Sequence, residues 1–80
     1  MRRFNGVFKE YATDSSLPPL YLYTGDNVPL PKCLITCGLH EECDAASWGH
    51  GRCQHVNNPD WKSSVIDYNS TGITVYHIVL

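Results

Sequence analysis

The feature that most restricts this chain is the spacing Cys33-x3-Cys37-x5-Cys43-x9-Cys53, four cysteines gathered mid-chain in a sequence of 80 residues. A chain of that length makes one domain at most, and such a domain buries only about 60% of the surface its unfolded form exposes. Ordering it costs roughly 1.5 kcal/mol per residue, which apolar burial about cancels, so domains this small need covalent bridges or a metal. The spacing lacks the Cys-x2-Cys knuckles of structural zinc sites, which makes disulfides the better reading. An intracellular zinc module is the competing one, and it predicts bound metal and four reduced cysteines. Four cysteines allow three pairings. If residues 31–42 are helical, Cys33 and Cys37 share a face with Cβ atoms about 5–6 Å apart, beyond the roughly 3.5–4.5 Å that a disulfide spans. Cys43 then lies just past the helix end and Cys53 on a strand opposite. This favours the nested pairs Cys33–Cys53 and Cys37–Cys43, with the crossed pairing as the alternative. Two such bridges contribute on the order of 2 and 3 kcal/mol, comparable with the net stability of a small domain. A protein that depends on them works in an oxidising compartment, outside the cell or in its secretory pathway.

The remaining sequence reads as strands around one helix in a single domain, residues 1–80. Residues 3–11 are aromatic and branched with rough period-two spacing, a first strand bent at Gly6. Residues 20–23 form a short second strand between Pro18-Pro19 and the turn Thr24-Gly25-Asp26-Asn27. Pro31 suits the first turn of the helix at residues 31–42. Strands at 45–48 and 52–56 flank Gly49-His50-Gly51, whose glycines tolerate positive φ. Strands at 64–68 and 73–80 are expected to pair around Asn69-Ser70-Thr71-Gly72.

The order and spacing of Cys33, Cys37, Cys43 and Cys53, followed by Cys53-Gln54-His55-Val56 as a closing strand, resembles the PAN/apple family. The match is firmest over residues 31–56. The chain has no cysteine outside 33–53, so it is similar to the four-cysteine PAN branch, without the terminal bridge of apple domains. Ala46 stands where the family usually has a larger residue. The resemblance implies the nested pairing, an α+β disulfide-rich fold with an antiparallel sheet of about five strands cradling one helix, and binding of proteins or carbohydrates without catalysis.

Charge excludes some partners. The net charge is −2, and the six basic residues are scattered rather than gathered in a stripe, so neither nucleic acid nor heparin-type ligands fit. The longest apolar run, residues 73–80, is far short of the ~20 residues that span a bilayer, so membrane insertion by this segment is not expected. Met1-Arg2-Arg3 leads into alternating residues with no apolar stretch of a signal peptide. The segment therefore reads as part of a larger secreted or membrane-anchored protein.

No nucleophile elbow, phosphate loop or carboxylate pair points to catalysis, and every cysteine has a candidate partner, so no free thiolate is expected. His40, His50, His55 and His77 fall on different elements without an H-x3-H pair, and Asp26-Asn27 lacks a calcium-loop pattern, so no cofactor or metal is assigned. Trp61, flanked by Asn57, Asn58, Pro59 and Asp60, suits stacking on a sugar or anchoring a protein partner; the competing arrangement folds it back over the core. Tyr21 and His50 are further contact candidates; Tyr21 and Tyr23 are expected on one strand face, an arrangement more common in packing than in contact. Trp48 is expected in the core. Asn69-Ser70-Thr71 is an N-glycosylation sequon in a turn. Three functions remain open from the sequence: a non-catalytic extracellular module for adhesion, receptor or matrix contact; a lectin-like module built on Trp61 and nearby Asn57, Asn58 and Asp60; and a structural domain making homotypic contacts.

Overall fold

Pro31 lies in the first helical turn, where the missing N–H breaks no helical bond, and the helix α1 runs Leu30–Leu39. It stops short of the expected residue 42. The Cys37–Cys43 bridge holds the two Cα atoms 5.3 Å apart, whereas six further residues of helix would separate them by about 9 Å along the axis. The chain therefore turns at His40, whose N–H bonds back to the carbonyls of Thr36 and Cys37. His40 Nδ1 in turn accepts the N–H of Glu42 at 3.2 Å.

The computed structural model describes residues 7–79. Around α1 the strands are β1 (Val7–Thr13), β2 (Tyr21–Gly25), β3 (Ala45–Gly49), β4 (Arg52–Val56) and β5 (Thr74–Val79), with a 3-10 turn at Trp61–Ser64. They form one five-stranded antiparallel sheet in the order β1-β5-β3-β4-β2. The fold is α+β and disulfide-rich. Cys33 is bridged to Cys53 and Cys37 to Cys43, which excludes the crossed pairing. No helix among the described residues is long and apolar enough to cross a membrane.

Both faces of the central strands are covered, which is why β3 is buried almost along its whole length rather than on alternate residues. One face packs on the helix through Cys33, Cys37, Cys43, Ala46 and Cys53, with Phe8, Leu22, Val28, Leu34 and Trp48 around them. The small Ala46 leaves room there for the two bridges. Trp48, expected in the core, is only partly buried and donates its indole N–H to the Val28 carbonyl at 2.7 Å. The other face is closed by loops rather than by a helix: Leu17 and Trp61 pack on Ala45, Val56 and Val75.

Three expectations are corrected. Residues 64–68 are not a strand paired with β5. Both sides of β5 are already taken by β1 and β3, and the segment makes one isolated β-bridge, Ser16 to Ile66, while Val65 packs on the core. Asn69 and Gly72 do adopt positive φ, but in a crossing loop and not in a hairpin turn. Second, Tyr21 and Tyr23 do not share a face. A register shift between them pairs Tyr21 with Val56 and Tyr23 with His55, adjacent residues of β4 that point to opposite sides. Third, the first strand extends to Thr13 with a bulge between Glu10 and Ala12, while the part expected at residues 3–6, with its bend at Gly6, lies outside the described residues, as does Leu80.

Candidate functional site

Trp61 sits in the 3-10 turn and is only 7% exposed. It is not the free loop anchor that its polar neighbours suggested. The β1 bulge turns Tyr11 toward it with ring centroids 4.8 Å apart, His77 approaches at 5.6 Å, and the Lys62 ammonium lies 5.7 Å from the indole centroid. His77 is held below the usual histidine value by burial and then by Lys62 and Lys9. Asn58 and Asp60 shape the turn that carries the tryptophan: Asn58 Oδ1 accepts the Asp60 N–H at 3.0 Å, and the Asp60 carbonyl accepts the Ser63 hydroxyl at 2.9 Å.

Two hollows open on the loop-covered face, both resting on β4. One, of about 280 Å³, is lined by Pro18, Leu20, Val56, Asn57, Asn58 and Trp61. Leu20 forms its lip and is 87% exposed. The strand β2 that follows Leu20 is an edge strand, paired only with β4 among the described residues. Tyr21 turns inward, its hydroxyl donating to the Leu17 carbonyl at 3.3 Å, while Tyr23 is 41% exposed and packs against His55 with ring centroids 5.0 Å apart.

The second hollow, of about 200 Å³, is lined by Asp26, Gly49, His50, Arg52, Gln54 and Ile73. The Arg52 Nε–H donates to Asp26 Oδ1 at 2.8 Å, and this bond holds the guanidinium above its usual value. His50 has φ 54°, and its Nε2–H donates to the Thr71 carbonyl at 3.0 Å, tying the β3–β4 turn to the loop before β5. Gly49 is required by the floor: a Cβ there would meet the Gly72 carbonyl oxygen at 2.5 Å and the Ile73 Cα at 2.8 Å.

Compared with known proteins, the chain matches no family model, no curated protein and no solved structure. Its functional reading rests on the residues themselves. The structure brings Trp61 and Asn58 to one hollow and His50 to the other, leaves Asp60 in neither lining, and packs Tyr21 against the core. Asn69 is exposed. The sequence reading missed Pro18, Leu20, Arg52, Gln54 and Ile73 as lining residues; Asp26 lies in an exposed turn and also lines a hollow. Alternation along β4 puts Arg52, Gln54 and Val56 on one face, and nothing local in the sequence indicates that this face stays partly open.

His55 lies within 4.8 Å of sulfur from both bridges. Those sulfurs are bonded to one another and so lack the thiolate charge of a metal ligand. The His55 ring is instead built into the core, its Nε2–H donating to the Cys33 carbonyl at 3.0 Å.

Proposed function

We propose that this chain is a non-catalytic extracellular binding module of PAN/apple type, part of a larger secreted or membrane-anchored protein, that takes an extended segment of a protein partner along the edge of β2. The cysteine spacing, the nested bridges and a five-stranded sheet around one helix support the family reading. Dependence on two buried bridges supports an oxidising location.

One observation carries the binding mode: an uncharged edge strand stands beside an apolar hollow. An unpaired edge offers a row of main-chain donors and acceptors to an added strand. Both edge strands carry a register shift, but the opposite edge, β1, is also defended by Lys9 and Glu10, whereas Tyr21–Gly25 carries no charge. A partner strand laid on β2 would gain main-chain bonds, and an apolar side chain of the partner would fill the hollow behind Leu20.

The test is selection of linear peptides from a displayed random library on the oxidised protein, with the bound peptide mapped by amide chemical shifts. Shifts should cluster on Tyr21–Gly25, and Leu20→Glu should weaken binding by roughly tenfold or more, the worth of one buried leucine. Peptides that map to α1 or β1, or that bind the Leu20→Glu variant unchanged, would sink the strand-edge reading. Self-association through the same edge, visible as a concentration-dependent mass in sedimentation, would assign the edge to a second copy instead.

A further inference from the structure

The hollow between Asp26 and Ile73 is chemically unlike the one behind Leu20, and no step of the strand-edge reading uses it. Its polar groups are only half engaged. Arg52 donates through Nε to Asp26, which leaves both terminal guanidinium nitrogens and Asp26 Oδ2 without partners among the described residues. Gln54 Oε1 accepts the hydroxyl of the buried Ser47 at 3.1 Å, which fixes the amide and directs its NH2 donors away from that bond. His50 is held in the lining by its Nε2–H donating to the Thr71 carbonyl, which leaves Nδ1 outside that bond. Ile73 supplies an apolar wall, and Gly49 a floor without a side chain.

This combination selects its ligand by charge and by hydrogen-bond pattern. Asp26 and Arg52 neutralise each other, so the hollow offers no net field to an anion, and the Asp26 carboxylate beside the guanidinium disfavours phosphate or carboxylate there. Free donors and free acceptors lie side by side, which suits groups that donate and accept at once. Hydroxyls are such groups. The volume of about 200 Å³ falls below the roughly 300–1,000 Å³ of sites that enclose a drug-sized ligand, which limits the occupant to one ring. A small neutral ring with vicinal hydroxyls and an apolar C–H face for Ile73 is a pyranose.

We infer that the hollow formed by Asp26, His50, Arg52, Gln54 and Ile73 binds a single neutral pyranose, such as a terminal residue of a glycan. The site is separate from the strand edge, so the protein engages a peptide and a sugar on neighbouring patches of one face. Arg52 and Gln54 donate to adjacent ring hydroxyls, Asp26 Oδ2 accepts from one of them, and Ile73 packs against the ring. An open site of this size with one small ligand binds in the millimolar range.

The probes are methyl pyranosides of the gluco, galacto and manno series and N-acetylglucosamine, titrated into the oxidised 80-residue chain. Binding is followed by shifts of the Arg52 Nε–H, the Gln54 amide protons and the Gly49 backbone amide. At least one neutral pyranoside should saturate these signals. Arg52→Ala should weaken it by roughly tenfold or more and Gln54→Ala by about threefold to tenfold, the losses expected for a charged and a neutral hydrogen-bond donor. Arg52 is an exposed side chain in an exposed ion pair, so its removal leaves the fold intact and the variant informative. Leu20→Glu should not alter the sugar response, which keeps failure here distinct from failure of the strand-edge reading. The inference is overturned if no pyranoside shifts these signals at millimolar concentration, if the shifts survive both variants, or if a carboxylated sugar binds more tightly than its neutral counterpart.

Discussion

The acid stability of this domain is tied to one buried ring. His55 is 1% exposed, with Nε2 3.0 Å from the Cys33 carbonyl and 3.2 Å from the Cys53 sulfur. Burial pushes its pKa below the usual histidine value; the bond to Cys33 opposes the shift only in part, and His40 adds to it. Because the folded value is the lower one, the unfolded chain takes up this proton first as the pH falls. The stability that the neutral ring contributes is therefore fully present above about pH 6.5 and is lost as the pH falls from there toward the folded value, at up to about 1.4 kcal/mol per pH unit. Against a total of about 4–12 kcal/mol for a domain of this length, that is a measurable slope. The assay is equilibrium urea unfolding followed by tryptophan fluorescence, bridges intact, from about pH 7.5 down to about pH 5.5, where carboxylates are still mostly ionised. His55→Gln keeps an amide donor for the Cys33 carbonyl but cannot titrate. Its stability should fall less steeply with acid than that of the parent, by up to one proton's worth of slope. His77, also depressed, is present in both proteins and cancels in the difference. Equal slopes in the two proteins, or a parent that gains stability on acidification, would refute the assignment.

The two bridges should not be equivalent. Cys37→Ser/Cys43→Ser opens a bridge of sequence separation 6 and should cost about 2 kcal/mol in urea unfolding, whereas Cys33→Ser/Cys53→Ser opens one of separation 20 and should cost about 3 kcal/mol. Equal losses would argue against the chain-entropy account. Trp61→Ala removes the indole that Tyr11, His77 and Leu17 pack around and should destabilise by about 3–5 kcal/mol, while Trp61→Phe should cost much less; a Trp61→Ala protein of parental stability would return this residue to the ligand candidates. Secreted from a eukaryotic cell, the chain should carry an N-glycan on the exposed Asn69, visible as a mass increment that Asn69→Gln abolishes.

The elements nearest the cysteines were the most legible. Pro31 and the Cys33/Cys37 repeat located α1, and Gly49-His50-Gly51 located the β3–β4 hairpin, because both depend on residues a few positions apart. The segment at residues 64–68 was misread for the complementary reason. Its alternation resembles a strand, but a strand also needs a neighbour with a free edge, and β5 has none left. The same holds for the tyrosines: a bulge is a property of the β2–β4 ladder, so no spacing between Tyr21 and Tyr23 could announce it.

For the candidate sites the division is sharper. The sequence alone provided grounds to expect a small disulfide-bridged α+β fold, because its length limits the core, its cysteine spacing limits the pairings and its segments read as strands around one helix. It also marked His50 and the loop around Trp61 as unusual. Only the tertiary structure decided that Trp61 is buried by Tyr11 and His77, since that contact joins β1, β5 and the 3-10 turn across long stretches of chain. It also decided that Asp26 meets Arg52, which follows from β2 lying beside β4. Local sequence fixes how the backbone turns, whereas a binding hollow is the space left between segments that meet only when the whole sheet is assembled.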